Sequence, residues 1–408
     1  MSTTTNPFST TPFQTEAPGP LSSNEQTATV FEPELLMAEA RRESGRSDFG
    51  VKCFEESLER LCDSLSNEAE LNEIGKLNAR SEIVDNLILR LQMADAERCQ
   101  PNIYSTDVGS PAVIFGLPRT GTSILYELLA LDTEAFRTPK VWEVAEPLAA
   151  QSETRLHEID GALRAVYELA PDFKRQHRIG ATLGEECCRL LQLSFAGYRY
   201  MWAYRVPSFW RWSLAADLSG AYGWHRKMLQ ILQPGGSDRT WMLKSPGNLP
   251  FIGAMRSAYP GLREIHTYRD PADVIGSSTS MIATLRSVFS DSVDAHEIAA
   301  EQIDFWKIAI QSYIELRRSS ENYRALDLSY ANYLARPLEG IERVRDFLGL
   351  EFTASQSAAV ENHLRAHPQN EHGAHRYSVE DFGFSRTQIH KLFEDYIETF
   401  HVEVKARP

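Results

Sequence analysis

The sequence predicts an α/β fold: a P-loop-type parallel sheet flanked by helices, with an N-terminal helical region before it and a helical insertion within it. Three observations carry this. The apolar run Ala112-Val113-Ile114-Phe115-Gly116-Leu117 passes through a short polar turn, Pro118-Arg119-Thr120-Gly121-Thr122-Ser123, into the helix-forming Ile124-Leu125-Tyr126-Glu127-Leu128-Leu129. Strand-like runs recur at 112–116, 240–244, 263–268 and 324–329 with helical sequence between them. That alternation favours a parallel sheet with ligands at the carboxyl ends of its strands. Finally, apolar residues repeat at helical spacing before the sheet: Phe54, Leu58, Leu61 and Leu65, then Leu77, Val84, Leu87 and Leu91.

In chain order, residues 1–30 are rich in Thr, Ser, Pro and Asn and lack both an apolar signal core and an Arg-rich amphipathic pattern. They read as a disordered lead-in. Residues 31–100 carry no phosphate-binding signal and read as a helical cap or packing layer. Residues 101–408 form the α/β domain, whose core starts near Pro111. Its insertion, about 155–235, is mostly helical and holds Tyr198, Tyr200, Trp202, Tyr204, Phe209, Trp210, Trp212, Tyr222 and Trp224. Such density either walls a pocket for an apolar acceptor or packs as ordinary core between helices.

The turn after the first strand has the geometry that aims N–H groups at an anion, because a helix N-terminus offers free donors and positive potential. Gly116 and Gly121 have the spacing of a phosphate loop, but Thr122 stands where a Walker lysine belongs. Without that lysine a nucleoside triphosphatase loses its contact to the outer phosphates. Arg119, inside the loop, supplies a cation instead. A second anion site follows the strand that ends in Tyr268. Asp270 suits the N-cap of the next helix, Pro271 its first position and Asp273 its first turn. Arg269, at the strand end, can reach a phosphate with a planar fork of donors. Ser277 lies about two turns into that helix, on roughly the face of Asp273. Lys244, in Lys244-Ser245-Pro246, closes the strand 240–244 and points into the ligand crevice.

The segment 116–123 resembles the 5′-phosphosulfate loop of sulfotransferases that use 3′-phosphoadenosine 5′-phosphosulfate (PAPS). The segment His266-Thr267-Tyr268-Arg269-Asp270-Pro271-Ala272-Asp273-Val274-Ile275-Gly276-Ser277 resembles their 3′-phosphate motif, with Arg and Ser eight residues apart as that family requires. The resemblance implies PAPS as co-substrate, no metal, and transfer of its sulfuryl group to a hydroxyl of a small, lipophilic or aromatic acceptor. It assigns cofactor binding to Pro118, Arg119, Thr120, Gly121, Thr122, Ser123, Arg269 and Ser277. The bacterial branch carries Lys-Ser-Pro or Lys-Asp-Pro at Lys244, which together with Arg119 serves the leaving side. A later segment, Glu371 to Ser378 with Asp381-Phe382-Gly383-Phe384, resembles the family's basic loop over the 3′-phosphate. Ala374 replaces a common basic residue there, leaving His375 and Arg376 to bind, and a final helix is expected over 385–400.

One departure concerns the base. Relatives usually carry a histidine at the position of Asn248, and an amide cannot accept a proton. Sulfuryl transfer resembles phosphoryl transfer: in-line attack, with catalysis mainly by positioning and electrostatics. The acceptor hydroxyl still needs a base, and a carboxylate is the natural substitute. Glu143 is the choice, because several branches resemble this chain in placing a catalytic Glu some twenty-odd residues beyond the loop. Glu146, the pair Glu185-Glu186, and then His225, His266 and His375 follow. The alternatives are a kinase-like P-loop phosphotransferase, opposed by the missing lysine and by the lack of a recognisable Mg²⁺ motif, and a non-catalytic nucleotide-sensing module, which Asn248 keeps open.

Composition narrows the partners. The 408 residues are 42% hydrophobic and 10% aromatic, enough for a full core. A net charge of −14 argues against nucleic-acid binding and leaves an anionic ligand to local donors. Five cysteines without zinc spacing point to a reducing compartment, and no stretch approaches a membrane span. A soluble cytoplasmic protein is expected.

These readings predict a marked preference for adenosine 3′,5′-bisphosphate over AMP and ATP in calorimetry. A charge-assisted phosphate contact contributes about 1.5–3 kcal/mol, so Arg269→Ala weakens bisphosphate binding roughly ten- to a hundredfold. Equal affinity for AMP and the bisphosphate contradicts the reading.

Overall fold

β1 (Ala112–Gly116) is buried along its whole length and takes the central place in the sheet. The computed structural model describes residues 31–171, 173, 178–368 and 377–404; the expected lead-in 1–30 and the pair His375 and Arg376 lie outside them. Among the described residues β2 (Phe136–Arg137), β3 (Thr240–Lys244), β4 (Arg263–Tyr268) and β5 (Ala325–Ser329) complete a parallel sheet of order β2-β3-β1-β4-β5. Ala112 stands opposite Met242 on one side and Arg263 on the other. The apolar runs form strands because both faces are covered. Val113, Phe115, Trp241 and Leu243 enter one core cluster, while Ala112, Ile114, Met242, Ile265 and Leu328 enter another.

The helices in order are α1 (Pro33–Ser44), α2 (Glu55–Asn67) and α3 (Glu73–Cys99) before β1. Between β1 and β3 run α4 (Thr122–Leu129), α5 (Val141–Ala145), α6 (Glu153–Leu169), α7 (Cys187–Leu191), α8 (Arg199–Ala203), α9 (Pro207–Ala215) and α10 (Ser219–Ile231). Then come α11 (Ile252–Ala258) before β4, and α12 (Pro271–Phe289) and α13 (Ala295–Ser319) before β5. α14 (Tyr330–Ala335), α15 (Pro337–Leu348), α16 (Ala354–Ala366), α17 (Arg386–Leu392) and α18 (Glu394–Phe400) follow. Among the described residues no helix is long and apolar enough to cross a membrane.

A buried cation helps fasten the helices preceding β1 to the insertion. Arg90 of α3 donates to the carbonyls of Phe49 at 3.0 Å and Leu193 at 2.8 Å, and its guanidinium lies 4.1 Å from the Trp224 ring and 4.3 Å from that of Phe54. Burial pulls its pKa down to about 10. The carbonyl bonds and ring faces replace water around that charge.

Three details depart from the sequence reading. The last strand starts at Ala325, one residue later than expected, and Tyr330 after it opens a helix. β2, two residues long, pairs Phe136 with Thr240 and was not expected. The final helix expected over 385–400 is two helices, broken at Phe393, whose φ −113° and ψ 24° leave the helical region. The connectivity places the site. From β1 the chain builds β2 and β3 on one side and then crosses to β4 on the other, so the order reverses at the carboxyl end of β1.

Gly116 allows the closest approach there. Its φ is +150°, and a Cβ would lie 2.1 Å from the Thr267 carbonyl oxygen of β4. Gly45, with φ +64°, has nothing within 4 Å of an added Cβ. Gly45→Ala is expected to cost about 1 kcal/mol, whereas Gly116→Ala should cost more than about 4 kcal/mol or prevent folding. Urea unfolding of the two variants checks the contrast.

Candidate active site

The loop after β1 is held in an uncommon conformation. Arg119 has φ +61° and Gly121 φ +80°, left-handed values that an arginine adopts only when its surroundings impose them. Those surroundings are visible. Thr120, fully buried, donates to the Leu117 carbonyl at 2.7 Å, and its Oγ1 lies 2.6 Å from Oγ1 of Thr267 on β4. The Tyr333 hydroxyl donates to the Gly121 carbonyl at 2.7 Å. α4 opens at Gly121 with no side chain capping it, which leaves its first amides to the loop's concave side.

The second anion motif meets the first. Arg269 Nη1 donates to the Arg119 carbonyl at 3.0 Å, and Arg119 Nε donates to Ser277 Oγ at 3.1 Å. Arg269 Nη2 reaches Asp273 at 3.3 Å and the Tyr377 hydroxyl at 3.4 Å, and the guanidinium lies 4.5 Å from the Tyr330 ring. Asp270 caps α12 by accepting from Ala272 N at 2.9 Å. Burial holds the Arg119 pKa below the usual guanidinium value, and an anion beside it relieves that penalty.

A cavity of about 160 Å³ adjoins the loop. Ser123, Lys244, Ser245 and Glu186 form its polar end. Lys244, only 3% exposed, donates to Ser123 Oγ at 3.2 Å and is ion-paired with Glu186 Oε1. Ser245 Oγ donates to Glu186 Oε2 at 3.2 Å. The rest of the lining is mostly apolar: Ile159, Ala162, Leu163 and Val166 of α6, Leu183, and Leu285 and Phe289 of α12. Among the insertion's described aromatics, Phe173, Tyr198 and Trp202 line it. Tyr200, Tyr204, Phe209, Trp210, Tyr222 and Trp224 are core residues.

The charges lining the cavity come in pairs. Arg199 Nε donates to Glu82 of α3 at 2.9 Å, Arg189 is 3.8 Å from Glu185, and Arg178 is 3.3 Å from Glu127. Burial raises the pKa of Glu185, with Arg189 opposing. With Glu82 counted behind Arg199 the charges balance, and with the aliphatic wall this suits an uncharged, apolar molecule.

The structure thus brings together Arg119, Thr120, Gly121, Thr122, Ser123, Arg269 and Ser277, with Lys244 next to Ser123. It does not bring Glu143 to the cavity. That residue closes a capping box on α5, accepting from Lys140 N at 2.9 Å, and Arg137 grips both its oxygens at 2.8 and 3.3 Å. Glu146 is ion-paired with Arg155. His225 is buried against Tyr259 at 2.7 Å, and burial pushes its pKa down to about 3. His266 is buried 2.9 Å from Asp327. Asn248 is fully buried, accepts from the Tyr222 hydroxyl at 2.9 Å and is not part of the lining. The α6 wall was readable as the spacing 159, 162, 163, 166, a single helical face. Pairing of Lys244 with Glu186, 58 positions apart, had no local signal.

A family model described as "Sulfotransferase family" matches residues 111–354. A comparison with curated protein sequences finds no significant match. Among solved structures, the chain is similar to sulfotransferase STF9 from Mycobacterium avium, at 21% identity and TM-score 0.79, covering 96% of this chain and all of that one. It is also similar to sulfotransferase STF1 from Mycobacterium tuberculosis H37Rv, at 23% identity and TM-score 0.73, covering 89% of this chain and 98% of that one. At these identities the likeness shows a shared fold.

The burial of Asn248 gives a direct test of its role. Asn248→His introduces a larger ring into a filled core and breaks the bond from Tyr222. It should cost about 2–4 kcal/mol in urea unfolding and bring no gain in turnover. A faster and equally stable variant contradicts the placement.

Proposed function

We propose that this chain, which belongs to the sulfotransferase family, moves the sulfuryl group of PAPS onto the hydroxyl of a small lipophilic or aromatic acceptor lodged in the α6–α12 cavity. The observation that carries the reading is the contact between the two anion motifs. Arg269 bonds the Arg119 carbonyl, and Arg119 bonds Ser277. A nucleotide bearing phosphates on both its 3′ and 5′ positions needs two anion sites within one ribose of each other.

In this proposal Pro118 to Ser123 hold the 5′ end through loop amides and Arg119, while Arg269 and Ser277 hold the 3′-phosphate. His375 and Arg376 complete the 3′ side. Tyr377, next in the chain, touches Arg269 at 3.4 Å. When bound, PAPS supplies the activated sulfuryl group. The chain's own residues do the rest. Glu186, at the polar end of the cavity, takes the proton of the acceptor hydroxyl, a role that passes to it from Glu143 because Glu143 is occupied by Arg137 and the α5 cap. Lys244 lies between Ser123 and Glu186. As Glu186 is neutralised by its proton, the Lys244 charge becomes available to the oxygen that gains negative charge. The aliphatic wall keeps water from competing as nucleophile. The free cysteines suit a reducing compartment, and we place the activity in the cytoplasm.

Incubation with PAPS and cell extract, read by mass spectrometry, should show a small apolar metabolite gaining one sulfuryl group. Turnover should persist in excess EDTA; an absolute requirement for Mg²⁺ would instead favour phosphoryl transfer. Glu186→Gln is expected to lower kcat about 10²–10⁴-fold with adenosine 3′,5′-bisphosphate affinity unchanged. Glu143→Gln should keep kcat within a few fold and lose stability, and the reverse outcome returns the base to Glu143.

A further inference from the structure

The first turn of α12 poses an electrostatic problem. Asp270 and Asp273 follow Arg269 closely in the chain, and Asp273 contacts it at 3.3 Å, so two carboxylates stand close to the proposed 3′-phosphate position beside the guanidinium groups of Arg269 and Arg119. Left there, the charges cancel, and a dianion gains little by entering. Acidic residues suit a helix N-terminus on their own, but they repel a second anion bound at the same place.

α17 answers this from far along the chain. Arg386 bridges both carboxylates, with Nη1 2.8 Å from Asp273 Oδ1 and Nη2 paired with Asp270 Oδ2. His390, one turn on, places Nε2 2.9 Å from Asp270 Oδ1. These groups are largely withdrawn from water, with side-chain exposures of 16% for Arg386, 11% for Asp273 and 3% for Asp270, so the solvent screens them weakly. Asp273 divides its oxygens, one toward Arg269 at 3.3 Å and the other toward Arg386. A phosphate arriving at Arg269 competes with Asp273 for the same nitrogen. Arg386 keeps a partner on that carboxylate while Arg269 turns to the ligand.

We infer that Arg386 is a specificity-determining residue for the 3′-phosphate, acting by neutralising Asp273 and Asp270. The inference rests on the nucleotide reading proposed above. It assigns Arg386 no contact with the ligand; it fixes the sign of the field in which Arg269 works.

Calorimetric titration of the full chain with adenosine 3′,5′-bisphosphate and with AMP tests it. Arg386→Gln should weaken the bisphosphate about tenfold or more and leave AMP within about twofold. Arg386→Lys, which keeps the charge, should retain most of the preference. Arg386→Gln combined with Asp273→Asn should restore it, because the repulsion is removed with its counter-charge. Should Arg386→Gln not fold, Asp273→Asn alone decides: it should raise the preference for the bisphosphate, and an unchanged or lowered preference overturns the inference. Equal loss for both nucleotides in Arg386→Gln also overturns it, marking a purely structural role. Wild-type preference that survives Arg386→Gln defeats this inference alone; a wild type indifferent to the 3′-phosphate defeats the nucleotide reading and this inference together.

Discussion

The bond from Arg269 to the carbonyl of Arg119 holds two distant segments in register, and the site is organised around it. That carbonyl is available because Arg119 is left-handed, a conformation that costs an ordinary residue about 1–2 kcal/mol. The cost is met by contacts on all sides: Thr120 against Thr267, Tyr333 against Gly121, and the near-contact of Gly116 with β4. The partners are Thr267 of β4 and Tyr333 of α14 at the carboxyl edge of the sheet. The loop therefore takes its shape only after β1, β4 and α14 have assembled, which makes it a product of the whole fold.

The Lys244–Glu186 pair illustrates a different economy. Burying two opposite charges contributes little net stability, because desolvation offsets their attraction. A well-packed apolar pair in the same space would be as stable. On the proposed reading the pair supplies a cation beside the loop and a carboxylate beside the cavity.

What the sequence disclosed follows from the range of each signal. Strands buried on both faces leave unbroken apolar runs, so β1, β3 and β4 were legible, and the two anion motifs lie within single segments. β2 is too short to leave a pattern. Glu143 is hard to read from sequence because an acid at the third position of a helix serves the cap as readily as it serves chemistry, and its contact with Arg137 joins residues that no local pattern links. The aromatic run of the insertion mostly fills the core, while the less conspicuous aliphatic face of α6 lines the cavity. Arg386 was invisible for another reason: its partners, 113 and 116 positions earlier, meet it only in three dimensions.

Glu82 belongs to α3, outside the sheet altogether, yet it is buried and anchors Arg199, which lines the cavity. The proposed donor loops draw on β1, β4 and the helices after them. The two ends of the site thus answer to different stretches of chain. On the proposed reading, substitutions in α3 and α6 can reshape what enters the cavity while the nucleotide machinery stays intact, so a lineage can inherit one chemistry and diversify its targets.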